Sequence, residues 1–259
     1  MTRLQSVLLM ILSDIDELLR TNGVPYYIIG GTALGAIRHK GFIPWDDDVD
    51  LGVLPEYWEK LDYVLRNKLD KKKYSYEQAY VDTVQQMSKI KLNNTHIHEV
   101  GAIPEENDGI YIDIFRYDNA RRTKVGKYFQ FLCGRGMISY ILSNKPYETT
   151  SIAKKIAIGM SKICKVPFIH KFIYSQVLNQ PKSEEICMVW DRTRGNWKKY
   201  FYPRRLFSGS KLVEFEGRKF PVCNGIEECL TLEYGDYMKL PPVEQRVGLH
   251  ILSVDFGEY

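Results

Sequence analysis

Leu4, Val7, Leu8, Ile11, Leu12, Ile15, Leu18 and Leu19 recur at three- and four-residue spacing, which predicts an amphipathic helix over residues 3–21. Gly23 and Pro25 end it. Tyr26-Tyr27-Ile28-Ile29 then reads as a short buried strand running into Gly30-Gly31, with Thr32 as the cap of a helix over Ala33–His39 and Gly41 after it. Acids and apolar residues alternate through Asp46–Leu54 and predict a second strand. Pro55 opens a helix to about Leu69, with Tyr57, Leu61, Val64 and Leu65 inward. Residues 74–81, 86–92 and 109–116 have strand character. Residues 121–178 are helical in pattern, and 200–224 are a turn-rich hairpin region around Glu214-Phe215-Glu216-Gly217. Pro241-Pro242 closes the regular structure. No internal repeat or low-complexity linker appears, so one unit over 1–259 is expected, with a helical sub-region at about 121–178.

Composition narrows the class. Aromatic residues at 13% exclude disorder over most of the chain. Five cysteines, Cys133, Cys164, Cys187, Cys223 and Cys229, contain no C-x-x-C pair, which argues against a disulfide scaffold or a four-cysteine zinc site and for a reducing compartment. Acids Asp14, Asp16 and Glu17 interrupt the first helix, unlike a secretory signal, and no apolar run is long enough to span a bilayer. The expected location is cytoplasmic, or peripheral on the inner face of the cell membrane.

The chemistry concentrates in two stretches, Gly30-Gly31-Thr32-Ala33-Leu34-Gly35-Ala36-Ile37-Arg38 and Gly41-Phe42-Ile43-Pro44-Trp45-Asp46-Asp47-Asp48-Val49-Asp50-Leu51-Gly52. On a strand, Asp46, Asp48 and Asp50 share one face, where three carboxylates repel unless a cation neutralises them. All-oxygen ligands suit a hard ion, and Mg²⁺ is the ion commonly held by a few carboxylates together with substrate phosphates. A calcium loop does not fit, because Leu51 stands where such a loop needs glycine and Tyr57 where it needs glutamate. A solvated acidic turn is the alternative, weakened by Pro44-Trp45 before the acids and Leu51-Gly52-Val53-Leu54 after them.

Gly30-Gly31 lies between a strand and a helix start, where a phosphate can approach free backbone N–H groups. It matches neither a dinucleotide fingerprint nor a P-loop, and a plain turn is the other reading. Arg38 either reaches the same phosphates or lies on the surface. Asp113, within Ile110-Tyr111-Ile112-Asp113-Ile114-Phe115, is an acid in an apolar strand, so it is either ion-paired or bound to metal. Lys89 and Lys91 either supply positive charge to phosphates or line a solvated face.

These residues together resemble the LicD family of cholinephosphotransferases, part of the nucleotidyltransferase superfamily and related to fukutin-related protein. The resemblance is most specific over residues 27–53. It continues through Ile112-Asp113-Ile114-Phe115, Phe215-Glu216-Gly217 and Tyr234-Gly235-Asp236-Tyr237-Met238-Lys239-Leu240-Pro241-Pro242. It implies an α/β nucleotidyltransferase-type core, a mixed β-sheet flanked by helices. In it Asp48, Asp50 and Asp113 are the catalytic acids and hold Mg²⁺ or Mn²⁺. Gly30, Gly31, Thr32, Arg38, Asp46 and Lys91 then contact substrate. The implied reaction moves phosphocholine from CDP-choline to a sugar hydroxyl of a glycan precursor of the teichoic acid, lipopolysaccharide or capsule type. Relatives moving other alditol phosphates make CDP-ribitol and CDP-glycerol alternative donors. A non-catalytic nucleotide-binding protein is the alternative of another class. The cysteine-rich zinc insertion of the animal relatives is missing, so no zinc is implied.

Charge is uneven. Between Asn119 and Phe172 there are eleven Lys or Arg residues and one acid, Glu148. Lys154, Lys155, Lys162 and Lys165 fall near one helix face, opposite Ile152, Ile156 and Ile163. Such a face either rests on an anionic membrane, where a lipid-linked acceptor would be found, or is simply solvated. Nucleic acid is not an expected partner.

Overall fold

The computed structural model describes residues 1–83, 85–99, 108–144, 159, 161–189, 196–248 and 251–259. Helices are α1 (Arg3–Thr21), α2 (Gly30–His39), α3 (Trp58–Lys68), α4 (Lys124–Asn144), α5 (Pro167–Val177) and α6 (Ile226–Tyr234). Strands are β1 (Tyr27–Ile28), β2 (Asp50–Val53), β3 (Tyr74–Glu77), β4 (Ser88–Leu92), β5 (His96–Glu99), β6 (Tyr111–Arg116), β7 (Asp118–Asn119), β8 (Glu185–Cys187), β9 (Phe201–Pro203), β10 (Ser210–Phe215), β11 (Arg218–Cys223) and β12 (Ile251–Asp255). The chain groups into two compact units, one of Met1–Gln78, Met87–Arg116 and Leu206–Tyr259, the other of Ala79–Gln86 and Tyr117–Arg205.

The first unit is an α/β layer. Its five-stranded sheet has the order β1-β2-β6-β4-β3 and is mixed: β2 and β6 run parallel, while the other neighbours are antiparallel. Strand alternation sorts the side chains. Leu51, Val53, Ile90, Leu92, Ile112 and Ile114 are buried on one face, toward which α1 directs Leu8, Ile11, Leu12, Ile15 and Leu19. Each such side chain, fully buried, contributes roughly 1.5–3 kcal/mol, so the apolar stripe read along α1 anchors the sheet. The other face carries Asp50, Asp113, Lys89 and Glu77. They lie in one row, because the register pairs Asp50 with Asp113, Asp113 with Lys89 and Lys89 with Glu77.

α1 begins at a Thr2–Gln5 capping box, in which the Thr2 hydroxyl accepts from Gln5 N and the Gln5 carboxamide accepts from Thr2 N. β10 and β11 form a hairpin whose two-residue turn is Glu216-Gly217, both at positive φ (49° and 73°). β12 pairs with β5.

The second unit holds α4, α5, a short 3-10 helix at Lys162–Lys165, and the three-stranded sheet β7-β8-β9. Gln130, buried on α4, donates to the carbonyls of Asn119 and Val177 and so joins α4 to β7 and α5. Phe201–Pro203, read from sequence as part of a hairpin region, pairs with β8 instead. Lys154, Lys155 and Glu148 lie outside the described residues. No helix among the described residues is long and apolar enough to cross a membrane.

Candidate active site

The glycine turn meets the acids at the start of β2. α2 begins at Gly30, earlier than the sequence pattern suggested, and its N-cap is Ile29, which provides no side-chain cap. Thr32 is therefore not the cap. It sits inside the first turn, fully buried, and its hydroxyl accepts the N–H of Asp50 at 2.9 Å. Ile29 N donates to Asp50 O at 3.1 Å, so both backbone groups of Asp50 are fixed. Gly30 has φ +55°, a region that disfavours side chains, and a Cβ there would lie 2.9 Å from Asp50 Oδ2. A Cβ on Gly31 would lie 3.0 Å from Asp46 Oδ2. The two glycines thus seat two carboxylates against the start of a helix whose first N–H groups have no intrahelical partner.

The strand is shorter than the alternation of acids predicted. It starts at Asp50, and Asp46, Asp47 and Asp48 lie in the irregular segment before it. Strand alternation does not govern them, and the structure gathers Asp46, Asp47 and Asp48 with carboxylate oxygens within 4.8 Å of one another. Asp47 was missed by sequence reasoning because a strand would have turned it to the opposite face; the run of three aspartates was the available signal. Of Asp48, Asp50 and Asp113, Asp48 alone belongs to that cluster. Asp113 faces Asp50 across the parallel β2–β6 pair, and its N–H donates to Val49 O at 2.9 Å.

Burial, then the charges of Asp48 and Asp47, then a hydrogen bond with Asp48 push Asp46 up from 3.8 to about 8. Asp46 Oδ2 is buried with no hydrogen-bond partner among the described residues. A divalent cation fits this site: the donors are all hard oxygens, they crowd at one place, and one carboxylate retains its proton when no cation is there. The sign for stability follows. Between about 4 and about 8 the native state holds a proton that the unfolded chain has released. Metal-free protein should therefore lose stability as pH rises through that window, by at most about 1.4 kcal/mol per pH unit. Denaturant melts in chelator should show this slope in the wild type and a flatter one in Asp46→Asn; equal slopes would count against the raised value.

Two further residues hold the acidic segment and the residues leading into it; Gln5 escaped sequence reasoning, whereas Glu216 stood in a motif whose role was not read. Gln5, buried on α1, donates from Nε2 to Asp46 O at 3.0 Å and to Ile43 O at 3.3 Å. Glu216, at the hairpin turn, accepts the Phe42 N–H at 3.0 Å, and its own N–H donates to Lys40 O at 2.9 Å. A Cβ on Gly41 would run into that Glu216 carboxylate, so Gly41 is needed for close approach, while Lys40 itself takes the left-handed position that ends α2. The Phe215-Glu216-Gly217 motif thus braces residues 40–42, which lead into the acidic segment. Gln5 had no local signal, and the Glu216 motif did not say what it holds, since each acts on backbone distant in sequence.

Arg38 is half-buried, and its Nη1 donates to Tyr237 O at 2.8 Å. Burial, and then the charge of Arg246, hold it below the usual arginine value, against an opposing contribution from Tyr234. With Leu34, Trp45, Tyr234, Tyr237 and Pro241 it lines a cavity of about 480 Å³. Arg246 lies over the Trp45 ring at 5.8 Å, one residue before Asp46. Lys91 is buried and pairs with Glu77 at 2.7 Å, so the solvated-face reading does not hold for it, and a phosphate would have to compete with that pair. Lys89 lies over the Tyr111 ring at 3.2 Å.

The family model for the LicD/FKTN/FKRP nucleotidyltransferase domain matches residues 23–132, which include the glycine turn and Asp46, Asp47, Asp48, Asp50 and Asp113. The lipopolysaccharide cholinephosphotransferase LicD of Haemophilus influenzae is 30% identical over 254 residues, covering 95% of this chain and 94% of that protein. The ribitol 5-phosphate transferase FKRP, in Homo sapiens and in Mus musculus, is 55% identical over 38 residues, 15% of this chain and 8% of that protein. Similarity to a bacterial cholinephosphotransferase that runs nearly end to end through both chains settles the affiliation: the protein belongs to the LicD family.

Proposed function

We propose that this protein is a Mg²⁺-dependent transferase that moves phosphocholine from CDP-choline to a sugar hydroxyl of a lipid-linked, cell-surface glycan precursor at the cytoplasmic side of the membrane. The observation that carries the reading is the crowding of Asp46, Asp47 and Asp48, with Asp46 and Asp50 set against the Gly30-Gly31 helix start. Nearly full-length similarity to a cholinephosphotransferase supports the choice of transferred group.

Asp48, Asp50 and Asp113 would hold the Mg²⁺, with Asp46 as a neighbouring oxygen donor. The ion, when bound, neutralises charge on the donor diphosphate and on the leaving CMP oxygen. The first N–H groups of α2, at Gly30, Gly31 and Thr32, bind a phosphate, and the bare Gly31 lets it come close. Thr32 fixes the backbone from which Asp50 projects. Asp113 takes the proton of the acceptor hydroxyl on a carboxylate oxygen as that hydroxyl attacks the phosphocholine phosphorus and the bond to CMP breaks. The guanidinium of Arg38 supplies positive charge from the cavity beside Trp45.

The similarity to a ribitol 5-phosphate transferase favours CDP-ribitol as a second donor on the same site, with CDP-glycerol a further alditol-phosphate donor to test. A thermal-shift panel of CDP-choline, CDP-ribitol, CDP-glycerol and ATP, each with Mg²⁺, separates the readings. At about 100 times its Kd a ligand adds roughly 2.7 kcal/mol, or roughly 5–10 °C in Tm for a chain of this size. CDP-choline should give the largest shift. A larger shift with CDP-ribitol or CDP-glycerol would move the assignment to that donor, and a response to ATP alone would overturn it. Stabilisation without turnover would identify a non-catalytic nucleotide-binding protein.

A further inference from the structure

α4 is apolar on two faces. Cys133, Met137 and Ile141 are buried on one. Val125, Tyr128, Phe129 and Leu132, spaced to share a second face, are exposed, Val125 by 81%. A helix that is apolar on two faces needs a partner for each. α5 continues the exposed face with Phe168, 79% exposed, and Phe172, whose ring meets that of Phe129 edge-on at 6.5 Å between centroids. The 3-10 turn Lys162–Lys165 packs against both helices, and exposed Ile163 and Val166 lie in and just after it. A contiguous apolar patch of this kind marks an interaction surface.

The charges nearby say what the occupant is. Arg122, Lys124, Lys162, Lys165 and Lys171 are exposed in the same segments, and no acid occurs among the described residues between Asn119 and Phe172. Protein–protein interfaces are depleted in lysine, whereas here lysine supplies four of the five cations. Lysines at a bilayer lay their methylene stems along apolar surface and place the ammonium among anionic headgroups. We propose that Val125, Phe129 and Leu132 of α4, with Phe168 and Phe172 of α5, dock this unit on an anionic phospholipid bilayer, with the surrounding lysines at the headgroups. The proposal does not rest on the transfer reaction.

Co-sedimentation of the full chain with vesicles tests it, using phosphatidylcholine alone or mixed with phosphatidylglycerol. The wild type should partition to the mixed vesicles at low salt and roughly tenfold or more less to the neutral ones, since several lysines act together. Phe168→Ser and Val125→Ser, both at exposed positions, should each lower partitioning, the first by roughly tenfold. Lys165→Gln and Lys171→Gln should each lower it roughly fivefold at low salt, about 1 kcal/mol per lysine, and the difference should vanish near 1 M salt. Failure of the wild type to bind mixed vesicles at any salt would overturn the proposal. Unchanged binding by both apolar variants would do the same. A dimer in sedimentation equilibrium that Phe168→Ser dissolves, without vesicle binding, would replace it with a self-association face.

Discussion

In a transfer assay, Asp50→Asn should cut turnover by roughly a thousandfold or more while the protein stays folded. Asp50 has its backbone pinned on both sides, through Thr32 Oγ1 and Ile29 N, and it stands opposite Asp113. Asparagine keeps that shape but removes one anionic oxygen from the proposed cation site. A metal ion contributes several kcal/mol of transition-state charge stabilisation, and about 4 kcal/mol corresponds to roughly a thousandfold in rate. In chelator, Asp50→Asn should melt at or above the wild-type temperature, because one charge of a like-charged group has gone. Wild-type turnover in Asp50→Asn would remove this residue from the mechanism, whatever its effect on the melt.

Gly31→Val should weaken binding of the CDP-linked donor by roughly tenfold or more, about 1.4 kcal/mol, in calorimetry with Mg²⁺ present. Two effects act together. The side chain fills the approach to the first N–H groups of α2, and its Cβ sits 3.0 Å from Asp46 Oδ2, so the carboxylate must shift. No left-handed backbone is required at Gly31, so the variant should fold, unlike a substitution at Gly30 with its φ of +55°. Unchanged donor affinity would reduce the Gly-Gly pair to a turn.

Elements whose cause is local were readable in the chain. The apolar stripe of α1 and the alternation of β6 need only the helix and strand periods. The tight turn at Glu216-Gly217 needs only a residue pair that tolerates positive φ. The acids and the glycine pair were likewise recognisable, because their chemistry lies in residue type and close spacing.

Where that reading failed, a distant part of the chain had intervened. Alternation of Asp46, Asp48 and Asp50 predicted a strand, but pairing with β1 and β6 begins only at Asp50, so Asp47 joins Asp46 and Asp48 in one cluster. A serviceable capping residue, Thr32, became the acceptor for Asp50 N because the helix started three residues earlier than its pattern predicted. Lys91 found Glu77 on the neighbouring strand. Gln5 carries no motif, and the motif around Glu216 does not name its target; they come to hold the acidic segment and the residues leading into it only when α1 and the β10–β11 hairpin bring them there. Residue type and short-range period therefore determine which groups are available and which local elements form. Strand register and long-range hydrogen bonds decide which groups meet, because an ionisable side chain takes its pKa and its partners from neighbours that the folded backbone supplies.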